Sequence, residues 1–147
     1  VVTGRIFLGD FGAYGLSAMI ALGSLQMYAS GNVSLWFLAC LLSYPCIEML
    51  RVIVSRLIRG DSPLQAGNDH MHNYAYAMLR GRGWNRILAN STTGLCLGLV
   101  SSLIPASIFL LSIVENGDTK FWLTYFCVYA LSHFLLVARL KRGMNAA

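Results

Sequence analysis

The chain has 147 residues, 56% of them hydrophobic and 12% charged, with a formal net charge of +5 and a strongly positive mean hydropathy. Soluble domains carry charge on about a quarter of their residues, and roughly one in eight is too few to clothe a core this apolar. Composition therefore excludes an ordinary soluble globule and points to an all-α integral membrane protein. Its positive charge belongs with membrane lipids of anionic headgroup, and no nucleic-acid partner is expected.

The chain begins at Val1, and a basic start, a short apolar run and a small-residue cleavage site do not follow in that order. It reads as a piece of a longer polytopic membrane domain. Four stretches approach the roughly 20 apolar residues that cross a bilayer at about 1.5 Å per residue: 11–29, 33–54, 87–114 and 121–137. Ser30, Gly31 and Asn32 predict a tight turn after the first, and residues 115–119 a short acidic turn after the third. Between the second and third lies the hydrophilic loop 55–86. Gly60, Pro63, Gly67 and Asn68 break it up. Beyond them Met71, Tyr74, Ala75, Met78 and Leu79 recur at helical spacing, which predicts a short amphipathic helix along the membrane surface, capped by Asn68 or Asp69. His70 and His72 then fall in or just before its first turn, where free N–H groups and the helix dipole favour an anionic ligand. In extended backbone such a pair points to one side, whereas within a helix the rings diverge by roughly 200°.

Ten of the eleven Lys and Arg residues fall on the side shared by the N-terminus, the long loop and the C-terminus; Lys120 alone lies on the other. The positive-inside rule then predicts a multi-pass protein of the cell inner (plasma) membrane with both termini of this stretch cytoplasmic. Glu48 and Arg51 share one helix face behind Pro45, either as an ion pair or as the lining of a polar cavity. Arg56 and Arg59 repeat that spacing, and their donor forks suit phosphate as well as headgroup snorkelling. His133, beside Ser132, reads as an intramembrane hydrogen-bonder satisfied within the bundle. Cys40, Cys46, Cys96 and Cys127 read as small buried hydrophobes, not disulfide or zinc partners. Gly94, Gly98, Ser101 and Ser102, like Gly12, Gly15 and Gly23, have the small-residue spacing of close helix approach. At the mouth of the first span Asp10 sits between glycines, either as a helix cap or as a Mg²⁺ ligand beside a diphosphate.

Together, Phe7, Leu8, Gly9, Asp10 and Gly12 opening a span, Pro45 and Glu48 in the next, Arg56, Arg59, Gly60, Ser62 and Pro63, and then His70, Met71 and His72 form an ordered set. It resembles the C-terminal part of the polyprenyl-phosphate N-acetylhexosamine-1-phosphate transferases. The resemblance implies transfer of an N-acetylhexosamine-1-phosphate from a UDP-sugar to undecaprenyl or another polyprenyl phosphate, with release of UMP, in cell-envelope polysaccharide biosynthesis. It implies Asp10 as the Mg²⁺-binding aspartate, Phe7 and Gly9 beside the uracil, His70 and His72 on the diphosphate or sugar, and Arg56 and Arg59 bordering that site. The implied partners are a UDP-N-acetylhexosamine, a polyprenyl phosphate, N-terminal spans of the same protein carrying the family's paired aspartates, and a second copy in a homodimer. Without those spans the stretch is not expected to be catalytic alone.

The chain departs from the family pattern at Ala13, where Ser is usual, and at Glu48, where Asp is usual. Ala66, Gly67, Asn68 and Asn73 replace Pro, Asp, Arg and His around the histidines. Two other readings fit the residues. One is a non-catalytic four-span scaffold or accessory subunit; the other is a membrane metalloenzyme using Asp69, His70 and His72.

Overall fold

A computed structural model describes residues 9–63, 67, 69–115 and 117–145, and every regular element among them is helical. The first helix, α1 (Gly9–Ala29), occupies the first predicted span. Its length, about 31 Å, is enough to cross a bilayer. Glycines, serines, tyrosines and Gln26 dilute its apolar content, however. The helices both long and apolar enough to cross are Arg86–Leu110 and Thr119–Gly143, with a bent pair as a third if it counts as one span.

That bent pair stands where one continuous second span was expected. Ser34 caps α2 (Leu35–Leu41) by accepting from the Trp36 N–H, and α3 (Ser43–Arg59) leaves it at 77°. Pro45 explains the bend. It has no N–H to donate to the Leu41 carbonyl four residues back, and its ring crowds that carbonyl. The freed oxygen accepts instead from Ser102 Oγ at 3.0 Å. Pro105 does the same to Ser101, whose carbonyl accepts from Ser43 Oγ at 3.4 Å. There the third span runs as α5 (Arg86–Gly98), a π-helical turn (Leu99–Leu103) and α6 (Ile104–Leu110). Each proline's orphaned carbonyl is thus met by a serine from the other's helix, as buried membrane backbone requires.

The last helix, α7 (Thr119–Asn145), runs well past the predicted end at 137, because residues 138–142, Ala, Arg, Leu, Lys and Arg, are all good helix formers and Gly143 alone does not end it. Near its start, Trp122 packs with Val33, Phe37, Leu38 and Cys40 into the apolar core. Phe37 stacks on Phe109 with centroids 4.4 Å apart, and Met27 of α1 leans on the same cluster. Outside it the helices are apolar and exposed, Met19 at 72% and Leu110 at 76%. Only 17% of the residues in the apolar 18-residue stretch of either crossing helix are buried, the pattern of a chain whose solvent is hydrocarbon or further helices.

Two packing expectations change. Cys40 is buried, but Cys46, Cys96 and Cys127 are exposed on outward helix faces; all four are free. A Cβ added at Gly15, Gly23, Gly94 or Gly98 would meet open space, so within the described residues none of these glycines brings two helices together. Ser101 and Ser102 do, through the Ser101 carbonyl's bond from Ser43 and the Ser102 hydroxyl's bond to the Leu41 carbonyl.

At the other end, Gly60 closes α3 with φ +76°, a left-handed conformation that favours glycine. The predicted amphipathic helix is α4 (Met71–Gly81), packed against α5 and α7. Asn85 caps α5 by accepting from the Leu88 N–H at 2.8 Å. Along α7, His133 and Lys141 lie about 16 and 28 Å beyond Trp122. The polar cluster therefore lies beyond the core along this helix, from its middle at His133 to Lys141 in its last part.

Candidate functional site

The polar cluster is built around Glu48 on α3. Its carboxylate is almost wholly buried and receives Arg51 on both oxygens, Nη2 to Oε1 at 2.7 Å and Nε to Oε2 at 3.1 Å. The three-residue spacing that puts both on one helix face made this pair legible in the sequence. The same carboxylate takes two partners from elsewhere. His133 Nε2 on α7 lies 2.7 Å from Oε2, and the Met71 N–H donates to Oε1 at 2.9 Å. The last bond caps α4 from another helix. His70, not Asn68 or Asp69, is the residue preceding α4, and its own side chain makes no cap bond. Asn68 lies outside the described residues.

Asp69 is turned to cations instead of capping. Its carboxylate is 2.8 Å from Lys141 Nζ, 3.2 Å from Arg59 Nη1 and 3.4 Å from Arg51 Nη1, and Tyr74 donates its hydroxyl to it. Lys141 also lies over the Tyr74 ring. Burial works to raise the Asp69 carboxyl, but the bonds from Lys141, Tyr74 and Arg59, with the Lys141 charge, hold it well below the usual carboxylate range. Tyr74 is pushed up to about 12 by burial and by its bond to Asp69. Nothing in the sequence signals Lys141, which reaches this site only because α7 continues beyond its apolar part.

His70 and His72 stack with centroids 5.4 Å apart and planes 10° from parallel. The arrangement follows from the backbone: His70 is extended, φ −117° and ψ 145°, while His72 lies in the first turn of α4, so the divergence of two helical positions does not apply. His70 Nδ1 is 3.4 Å from Glu48 Oε1. Tyr44 OH is 3.0 Å from His72 Nδ1. When Tyr44 donates, the proton of a neutral His72 sits on Nε2, a hydrogen-bond donor for an anionic oxygen. Burial and then the His70 charge push His72 below its ordinary pKa, against the opposing pull of Glu48.

The two predicted arginines part company. Arg56 is buried and donates to the Pro63 carbonyl at 2.8 Å, pinning the start of the loop. A Cβ at residue 67 would come within 3.0 Å of its guanidinium, so glycine there admits the close approach. Arg59 stays half-exposed between Asp61, Ser55 and Asp69. Phe7 lies outside the described residues. Gly9 and Asp10 open α1, and the side chain of Asp10 is likewise outside them.

Chemically the cluster is balanced, with Glu48, Asp61 and Asp69 against Arg51, Arg59 and Lys141. Among the described residues no three His, Cys, Asp or Glu side chains stand as a metal-binding group. Glu48 and Asp69 are both engaged by cations, which leaves neither carboxylate open beside the histidines. Comparison with known families, curated proteins and solved structures finds no match to the chain.

Proposed function

We propose that the protein is a membrane-embedded phosphotransferase moving an N-acetylhexosamine-1-phosphate from a UDP-sugar to a polyprenyl phosphate, with release of UMP. The observation that supports this reading most is the convergence of residues spread along the motif set. Glu48, Arg59, His70 and His72 of that set meet, with Asp69 beside them, in one polar cluster of an otherwise apolar helical assembly. A reaction joining a lipid phosphate to a water-soluble nucleotide sugar needs such a polar cluster beside hydrocarbon. In this reading α1 completes four spans, the polar end faces the cytoplasm and further spans of the same protein close the site. Asp10, about 25 Å along α1 from Met27, serves that same end.

A lipid phosphate oxygen attacks the sugar-bearing phosphorus, a new P–O bond forms, and the bond to the bridging oxygen breaks with its electron pair leaving on UMP. His72, donating from Nε2, and His70 hold the diphosphate oxygens, and the exposed part of Arg59 adds positive charge. Charge neutralisation carries most of such a transfer. A bound Mg²⁺ supplies further neutralisation. With Glu48 and Asp69 engaged, Asp10 and the substrate's own oxygens are the ligands this reading requires.

The whole protein in detergent or vesicles is expected to release UMP from a UDP-N-acetylhexosamine only when both Mg²⁺ and a polyprenyl phosphate are present. Asp10→Asn and His70→Ala are each expected to lower turnover about a hundredfold or more. Unchanged turnover in both variants would remove the site assignment.

A further inference from the structure

His133 lies deep in α7 with its side chain 1% exposed, and its partner Glu48 is 85 residues away in sequence. Arg51 and the Met71 N–H are donors only, so the Glu48 carboxylate accepts from both, and its short contact to His133 is a hydrogen bond when the ring donates Nε2–H. Nδ1 is then a buried acceptor, and it has no partner among the described residues. Phenylalanine would fill this volume without leaving an acceptor unmet, so what the imidazole contributes lies in Nε2–H. The groups around it are Tyr44, Glu48 and Arg51 from α3 and Tyr129 from its own helix. On the far side of Glu48 stand the first N–H of α4 and the His70 ring.

We propose that His133 is a positioning residue that acts through Glu48 on His70 and His72. By holding Oε2, it fixes the rotation of the carboxylate whose Oε1 caps α4 and faces His70 Nδ1. The start of α4 in turn sets His72 against His70. A residue of the last helix therefore governs the geometry of two loop histidines it does not touch. What those rings do with substrate rests on the transferase reading; their positioning does not.

Ring NMR of isotope-labelled histidine in the whole protein, assigned with His→Asn variants, tests this. His133→Phe is expected to move the ring signals of both His70 and His72. It is also expected to lower kcat about tenfold, with KM for the UDP-sugar within about twofold. His133→Gln, whose amide nitrogen can stand in for Nε2–H, is expected to restore both. Unmoved His70 and His72 signals in a folded His133→Phe protein would overturn the proposal, as would equal displacement in the Gln and Phe variants. If the Phe variant does not fold, the wild-type tautomer decides: Nε2–H at His133 is expected, and Nδ1–H would overturn the proposal. The ring signals need no substrate, so their displacement in a protein without transferase activity would refute the reaction and leave the positioning intact.

Discussion

Replacing Glu48 by leucine would strip the Arg51 guanidinium of its closest carboxylate, and removing one partner of a buried pair costs about 3–5 kcal/mol. Glu48→Leu is therefore expected to lower thermal stability in detergent by that amount, and the double variant with Arg51→Met to recover much of it. Asp69 and His72 give the loop a pH dependence. The depressed Asp69 pKa contributes stability that is complete above its ordinary value of 3.8 and is lost as pH falls through the folded value. The lowered His72 pKa means that the folded state resists protonation, so that contribution is complete above 6.5 and declines as pH drops below it. Hydrogen-exchange protection around residues 69–75, corrected for intrinsic rates, should decline in two steps on acidification, and His72→Asn should abolish the first. At this scale the sequence carried local pairs and lost distant ones. Glu48 and Arg51 are neighbours on one helix face, whereas the same carboxylate's bond to His133 joins helices whose register no single sequence reveals.

Within the helices, the bond from Ser102 to the carbonyl that Pro45 frees, between the second and third spans, can be tested by a double-mutant cycle. Ser102→Ala leaves the Leu41 carbonyl unmet in a setting without water and is expected to cost about 1–3 kcal/mol. Pro45→Ala restores the N–H that this carbonyl would otherwise accept, so Ser102→Ala is expected to cost little in that background. Equal cost in both backgrounds, read from thermal unfolding in detergent, would contradict the account of the bend. Helix positions were readable because apolar runs and turn residues are local signals: residues 71–81 form the short helix their spacing predicts. The 77° bend was not readable, although Pro45 was visible. The bend persists because Ser102, 61 residues away, satisfies the carbonyl that Pro45 frees. The length of α7 escaped for a different reason: hydropathy marks where the apolar part ends, not where the helix does.

For the whole molecule, an apolar exterior and an apolar core near the start of α7 stand apart, among the described residues, from the polar cluster farther along that helix. Apolar content made the membrane setting legible. How His70 and His133 meet Glu48, and Lys141 meets Asp69, was not, because those pairings depend on tertiary packing across three helices and a loop. The reaction proposed for this arrangement cleaves the bond between the two phosphorus atoms' bridging oxygen and the sugar-bearing phosphorus, which distinguishes it from simple sugar transfer. The most direct measurement supplies the whole protein with polyprenyl phosphate, Mg²⁺ and a UDP-N-acetylhexosamine carrying a phosphorus radiolabel in either the α or the β position. The β label is expected in the lipid fraction and the α label in UMP. Retention of both labels in the aqueous phase would contradict the account.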